Sequence, residues 1–123
     1  MHPQCRRAVA FIAAGLELTD VGRSIVDLTS NQVCSFEGDL SPKRVAISNA
    51  EDGNYFTGAS TNGVLSIFDH ERRRFFTFER DGKQFWGFDY GSSSYYAGSL
   101  EGHLVQIADE QVDRVFSYSL GFR

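Results

Sequence analysis

Residues 55–69, Tyr-Phe-Thr-Gly-Ala-Ser-Thr-Asn-Gly-Val-Leu-Ser-Ile-Phe-Asp, are matched 40 residues later by residues 95–109, Tyr-Tyr-Ala-Gly-Ser-Leu-Glu-Gly-His-Leu-Val-Gln-Ile-Ala-Asp. Laid over each other without a gap, the segments share Tyr55/Tyr95, Gly58/Gly98, Ile67/Ile107 and Asp69/Asp109. Apolar residues follow both Asp residues at offsets of six and nine positions, and they follow Asp27 at the same offsets. The spacing predicts three copies of one unit, with their Asp residues 42 and 40 positions apart.

Short apolar runs bounded by turn residues fill the chain after residue 22. They are Arg23–Leu28, Gln32–Phe36, Arg44–Ser48, Tyr55–Ala59, Val64–Phe68, Phe75–Phe78, Phe85–Asp89, Tyr95–Ser99, Leu104–Ala108 and Arg114–Ser119. Asn62-Gly63 between two such runs is the strongest hairpin signal, because both turn residues need positive φ. No segment has a 3.6-residue apolar period over ten or more residues, so no helix is predicted. Several runs are apolar in both registers, which predicts strands buried on both faces, with Trp86 in the core.

The first sixteen residues allow two interpretations. Arg6-Arg7 followed by the apolar run Ala8–Leu16 has the basic and apolar parts of a secretory signal, with residues 1–15 removed near Ala14. Alternatively, Phe11–Ala14 is an eleventh strand and the protein stays inside the cell, in cytoplasm or nucleus. We favour the strand, and no run reaches the ~18 to 20 apolar residues of a membrane-spanning helix, so no membrane partner is expected.

The following motifs mark one complete unit in chain order: Phe36-Glu37-Gly38-Asp39, Ser41-Pro42, Val45-Ala46-Ile47-Ser48, Asp52-Gly53, Tyr55-Phe56-Thr57-Gly58, Asn62-Gly63 and Ile67-Phe68-Asp69. Together they resemble a unit of the WD-repeat β-propeller family, and the resemblance extends over residues 9–119. The family's signature Trp before Asp is replaced by Val26, Phe68 and Ala108. The resemblance implies an all-β fold of propeller blades: about three four-stranded antiparallel sheets, the first incomplete. Residues 1–123 would be a single partial propeller domain with repeats at about 9–36, 37–78 and 79–119.

Three blades cannot close a ring, since propellers have about 4 to 8 blades. We therefore expect an open array, completed by other chain segments, by a partner or by self-association. Its end sheets would leave one side uncovered, with Val9, Phe11, Ile25, Leu104 and Val115 on the exposed faces. A well-behaved monomer would instead favour a small self-closed β-sandwich or barrel built from the same strands.

Catalytic and metal chemistry has little support in the sequence. Asp27, Asp69 and Asp109 recur at the repeat period, which is typical of turn or strand-end residues. The three His residues, His2, His70 and His103, lack partners at metal-ligand spacing, and Cys5 and Cys34 are read as free thiols in a reducing compartment. No phosphate-binding glycine motif is present. We predict no enzyme activity and no cofactor.

The functional prediction is a scaffold that presents loops to a protein partner. The resemblance places the candidate interaction residues on the connecting loops: Asp39, Lys43, Asp81, Lys83, Asn62, Glu101 and His103. The alternative is a nucleic-acid-binding propeller, since Arg72, Arg73 and Arg74 precede aromatic residues and Arg44 with Lys43 adds charge, although the net charge of the chain is -4. A divergent propeller enzyme is a third, less favoured interpretation, and the fold alone does not choose among them.

Overall fold

The computed structural model describes residues 1–18 and 21–122. They form one helix followed by ten strands. The elements are α1 (Pro3–Glu17), β1 (Val21–Asp27), β2 (Gln32–Leu40), β3 (Arg44–Asn49), β4 (Tyr55–Thr61), β5 (Val64–Asp69), β6 (Arg74–Asp81), β7 (Gln84–Asp89), β8 (Ser94–Glu101), β9 (Leu104–Asp109) and β10 (Arg114–Phe122).

The ten strands form a single closed antiparallel barrel, and the expected propeller is wrong. Each strand pairs with its neighbours in sequence, and β10 closes the ring by pairing with β1, where Ile25 lies opposite Leu120. All ten strands share this one sheet, so there are no separate blades. Closure also removes the uncovered sheet faces on which the expectation of self-association rested.

The 40-residue spacing has a different structural meaning from the one expected. β5 begins at Val64, β7 at Gln84 and β9 at Leu104, so equivalent strands recur every 20 residues. Forty residues therefore span two consecutive β-hairpins of the barrel rather than one four-stranded blade. A hairpin array and a propeller share short strands and tight turns, and only the pairing of distant strands separates them.

The helix α1 fills the inside of the barrel. Every residue from Cys5 to Ala14 is buried, so the helix is covered on all sides over almost three turns. His2 caps its N-terminus by accepting a hydrogen bond from the Gln4 backbone N–H at 3.1 Å, and Pro3 occupies the first turn. The strand predicted at Phe11–Ala14 is therefore wrong. The sequence did not indicate the helix, because a helix that is buried on all sides shows no 3.6-residue apolar period. No helix in residues 1–18 and 21–122 is long and apolar enough to cross a membrane.

Side chains alternate between the helix-facing inside and the outside of the barrel. The inward set includes Ile25, Phe36, Ile47, Phe56, Ile67, Phe76, Tyr96, Ile107 and Tyr118, all buried against α1 or each other. A single sheet curled around a helix has only one inner face, so the expected burial of both faces is wrong. Trp86, predicted in the core, lies on the outside and is 40% exposed.

The two ends of the barrel have different connections. At the turn end, β4 and β5 are joined by Asn62 and Gly63 with φ of 53° and 81°, which confirms the predicted tight hairpin turn. Gly82 and Gly102 open the corresponding turns of the next hairpins, also with positive φ. At the opposite end, which we call the ring end, longer loops follow β1, β3, β5, β7 and β9.

Candidate binding face at the ring end of the barrel

Five buried residues close the ring end, and we call them the strand-end ring. They are the last residues of the odd-numbered strands: Asp27, Asn49, Asp69, Asp89 and Asp109. The strand-end placement predicted for three of them, Asp27, Asp69 and Asp109, is confirmed. Asn49 and Asp89 were missed, because they lie 20 residues before and after Asp69, whereas the sequence alignment compared segments 40 residues apart.

Each ring residue shapes the loop that follows it. Its side-chain oxygen accepts a hydrogen bond from the backbone N–H two residues on, at 2.9 to 3.3 Å, in Thr29, Glu51, Glu71, Gly91 and Gln111. The residue four positions after each ring residue then has positive φ, at Asn31, Gly53, Arg73, Ser93 and Asp113. Asp and Asn favour this local turn because their short side chains reach the backbone two residues ahead. The five loops consequently share this hydrogen bond and the positive φ that follows it.

Met1 and the first turns of α1 provide partners for the whole ring. Arg7 Nε donates to Asp27 at 2.9 Å, Arg6 to Asp109 at 3.0 Å, Cys5 Sγ to Asp69 at 3.2 Å, Gln4 pairs with Asn49 at 3.3 Å, and the Met1 ammonium lies 3.7 Å from Asp89. Buried carboxylates need such partners, because an unpaired buried charge is strongly destabilising. Negative charge near the N-terminus of a helix is also favoured by the helix dipole. The ring therefore positions the helix in the barrel.

The protonation states around Cys5 follow from burial. Burial and the hydrogen bond to Asp69 raise the pKa of the Cys5 thiol far above its ordinary value. Burial alone raises the pKa of Asp69, but hydrogen bonds from the Arg72 backbone, the Cys5 thiol and the Arg72 guanidinium outweigh it and lower that pKa below its ordinary value. Cys5 is thus a protonated donor to a carboxylate, which makes it a poor nucleophile.

A cavity of 540 Å³ lies at the ring end beside the start of the helix. Its lining includes His2 and Cys5 from the helix end, the carboxylates Asp69 and Asp89, and Arg72. Burial and the nearby Arg72 lower the pKa of His2, so the neutral imidazole is favoured. Among the described residues, no cluster of three or more His, Cys, Asp or Glu side chains could hold a metal ion.

Next to this cavity, the outer wall carries a set of residues that we call the aromatic–arginine face. It consists of Tyr55, Phe68, His70, Phe75, Phe88, Tyr90 and Tyr95, together with Arg73 and Arg74. They lie on β4 to β8 and on the loops that join these strands at the ring end. Tyr90 and Tyr95 are 59% and 61% exposed, and Phe75 is 47% exposed.

The aromatic side chains of this face support one another in two clusters. In the first, Phe68 contacts Phe75 at 4.7 Å and His70 at 4.8 Å between ring centroids, and Tyr55 contacts His70 at 5.1 Å. In the second, Phe88 contacts Tyr95 at 4.8 Å and Tyr90 at 4.9 Å. A backbone hydrogen bond of 3.0 Å from Tyr90 N–H to the Phe75 carbonyl joins the two clusters. Such contacts hold the rings in fixed orientations before any partner binds.

The three arginines of the loop after β5 have different environments. Arg72 pairs with the buried carboxylate of Asp69 at 3.1 Å. Arg74 donates a hydrogen bond to the Gly91 carbonyl at 3.2 Å, and Arg73 is exposed with φ of 58°. Within residues 1–18 and 21–122, neither Arg73 nor Arg74 forms an ion pair. A groove on the outer wall brings these three arginines together with Phe75 and Tyr90.

The candidate site residues that were predicted from the sequence lie at opposite ends of the barrel. Arg72, Arg73 and Arg74 lie at the ring end, whereas Arg44 begins β3 at the turn end, five residues along the strand from Asn49 and about 17 Å away at 3.3 Å per residue. The candidate interaction residues all lie at or beside the turn end: Asp39, Lys43, Asp81, Lys83, Asn62, Glu101 and His103. Apart from Phe75, which follows the three arginines, the aromatic rings of this face were missed. Alternation could have found them, because the buried register of β5 through Leu65, Ile67 and Asp69 places Phe68 outside.

Comparisons with protein-family models, with curated proteins and with solved structures found no match to this chain, and the closed barrel shows that the WD-repeat resemblance is wrong.

Proposed function

We propose that this chain is a non-catalytic interaction domain that binds a partner protein through the aromatic–arginine face. The supporting observation is the pre-organised set of outward-facing rings, two of which, Phe75 and Tyr90, share a groove with Arg73 and Arg74. Tyr, Trp and Arg are the residues most enriched among the energetically dominant positions of protein interfaces. A closed barrel holds these side chains on a rigid wall, so little conformational freedom is lost on binding.

A non-catalytic role fits the use made of the buried polar groups. The carboxylates of the strand-end ring each accept hydrogen bonds from their own loop, and Asp27, Asp69 and Asp109 also contact the side chains of Arg7, Cys5 and Arg6. General acid–base catalysis instead needs a carboxyl group within reach of a substrate proton. Cys5, with its raised pKa, is held as a thiol.

The distribution of charge favours a protein over a nucleic acid as the partner. Arg44 and Lys43 lie at the far end of the barrel, and the charge of Arg72 is matched by Asp69. Two arginines remain for phosphate contacts in a chain of net charge -4. Non-specific nucleic-acid binding depends on several neutralised phosphates, so this set is small for that purpose.

Affinity capture with the purified full chain tests the proposal. The Phe75→Ser/Tyr90→Ser double variant should lose a partner that the unaltered chain retains, because both rings line the groove. Val115→Ser is the matched control, since Val115 is an exposed apolar residue on β10, three strands away from β7. Calorimetry with the purified partner should reproduce the difference. If every retained protein also binds the double variant equally well, the proposal is wrong.

We further propose that the domain works inside the cell, with residues 1–15 retained. The two buried cysteines, Cys5 and Cys34, are free thiols, which fits a reducing compartment. Residues 5–14 fill the barrel, so cleavage near Ala14 would remove the centre of the core. Mass spectrometry of the protein expressed in a secreting host should find these residues intact, and a product cleaved near Ala14 would contradict the intracellular location.

A further inference from the structure

We infer that the segment recognised by the aromatic–arginine face is a short extended peptide in which acidic side chains alternate with aromatic or aliphatic ones. This inference rests on the proposed function, because it names the chemistry of the protein partner at the same face. Three features of the structure lead to it: the closed sheet, the two arginines without carboxylate partners among the described residues, and the two aromatic rings in the same groove.

The closed barrel restricts how a peptide can bind. Many sheets bind peptides by adding a strand at a free edge, where backbone N–H and C=O groups are unpaired. Here β1 to β10 each have two hydrogen-bonded neighbours, so the ring of strands offers no such edge. Recognition on this wall therefore depends on side chains, and its specificity is set by Arg73, Arg74 and the rings.

The positive charges of Arg73 and Arg74 are complementary to acidic side chains on the bound peptide. Arg73 and Arg74 line it without an ion-pair partner among the described residues, and the third arginine is already paired with Asp69. The hydrogen bond from Arg74 to the Gly91 carbonyl fixes that guanidinium and leaves its other N–H groups available. Arginine recognises carboxylates through paired N–H donors, so two carboxylates are the complementary groups.

The aromatic rings in the groove are complementary to apolar side chains that alternate with those acids. Phe75 and Tyr90 line the same groove, and the backbone hydrogen bond between them places the start of β6 beside the loop after β7. Phe75 is held by Phe68, and Tyr90 by Phe88. In an extended peptide successive side chains point to opposite sides, so a peptide that lies along the wall with its side chains directed to either side brings its apolar row to Phe75 and Tyr90 and its acidic row to Arg73 and Arg74.

Fluorescence polarisation with defined peptides tests this inference on the full chain. The probe is a capped, labelled peptide of sequence Glu-Phe-Glu-Leu-Glu-Phe. One control peptide replaces every Glu by Gln, and the other replaces Phe and Leu by Ser. A fifteen-nucleotide oligothymidylate serves as the nucleic-acid probe. We expect the acidic, apolar peptide to bind at least about tenfold more tightly than either control peptide, because charge-assisted hydrogen bonds and ring contacts both contribute.

The variants are chosen so that loss of binding is not loss of folding. Arg73→Asn removes one charge and places Asn at a positive φ that Asn tolerates well, so the fold is maintained. This variant should bind the acidic peptide about threefold or more weakly than the unaltered chain does. The double variant Arg73→Asn/Arg74→Gln should bind the acidic peptide no more tightly than the unaltered chain binds the Gln peptide. Arg44→Gln, at the other end of the barrel, should leave the affinity unchanged.

Three results of the binding measurements would overturn the inference. They are equal affinity for the Glu and Gln peptides, unchanged affinity of the double arginine variant, and tighter arginine-dependent binding of oligothymidylate, which would assign the face to single-stranded nucleic acid. The proposed function is judged separately, through the partner that depends on Phe75 and Tyr90. A captured partner that docks through a segment without acidic residues would contradict the inference and leave the proposed function intact.

Discussion

Gly58 and Gly98 occupy equivalent positions on β4 and β8, where the neighbouring strand comes very close. A Cβ atom at Gly58 would overlap the Ser66 carbonyl oxygen, and one at Gly98 would overlap that of Gln106. Their match across the 40-residue spacing thus has a steric reason. Glycine is required because the backbones, and not only the side chains, approach each other.

We expect Gly58→Ala to lower the free energy of unfolding by about 1 to 3 kcal/mol, since the Ser66 backbone must shift to admit the methyl group. Urea denaturation followed by circular dichroism measures the change. Gly63→Asn is the control, because its site is open and Asn tolerates the positive φ there. A change of less than about 0.5 kcal/mol for Gly58→Ala would contradict the close approach.

The lowered pKa of Asp69 predicts a specific acid sensitivity. Because its folded-state pKa lies below its ordinary value, the unfolded chain takes up the proton first as the pH falls. Asp69 therefore stabilises the fold above its ordinary pKa of about 3.9, and this contribution is lost as the pH falls below it. Thermal unfolding between about pH 6 and about pH 2 should show a shallower acid decline for Asp69→Asn. Asp39 is an exposed carboxylate, so the unfolding temperature of Asp39→Asn should vary with pH as that of the unaltered protein does. The same pH dependence for Asp69→Asn would contradict the stabilising role of the Asp69 carboxylate.

At the scale of elements, α1 and the strand-end ring depend on each other. Removing Arg7 leaves Asp27 buried without its cationic partner, so Arg7→Met should cost about 3 to 5 kcal/mol. Adding Asp27→Asn should recover much of that loss, because Asn removes the charge and keeps an oxygen for the Thr29 N–H. Urea unfolding of the four members of the cycle measures the coupling.

The Arg80–Glu17 pair provides the comparison for this experiment, since it joins the same helix to β6 through partly exposed side chains. Exposed pairs contribute about 1 kcal/mol or less, so Arg80→Met should be a mild change. Equal costs for Arg7→Met and Arg80→Met, or additive effects in the Arg7–Asp27 cycle, would show that the ring does not position the helix.

For the whole molecule, closure of the sheet predicts a folded monomer of 13.8 kDa. The pairing of β1 with β10 leaves no strand edge in the ring, and the apolar inner face is covered by α1. Light scattering coupled to size exclusion should give the monomer mass, with a single cooperative thermal transition. A stable dimer that Phe75→Ser/Tyr90→Ser dissociates would instead identify the aromatic–arginine face as an interface between two copies of the chain.

The sequence by itself determined the local structure of most of this protein. The ten predicted strands after residue 22, the tight turn at Asn62-Gly63 and the strand-end position of Asp69 all agree with the structure. These features depend on neighbouring residues: alternation along a strand, positive φ in a turn, and a short polar side chain that reaches the backbone two residues ahead. For that reason they can be read from a short window of the chain.

The tertiary structure alone decided the architecture and the candidate face. Whether ten strands divide into blades or close into one barrel depends on the pairing of β1 with β10, residues almost the whole chain apart, and no local pattern encodes that contact. The helix α1 was missed because burial on every side removes its amphipathic signal, and Trp86 was assigned to the core because large aromatic residues are usually well buried. Filling the barrel with a helix leaves the sheet one buried face, and this forces the remaining aromatic side chains onto the surface.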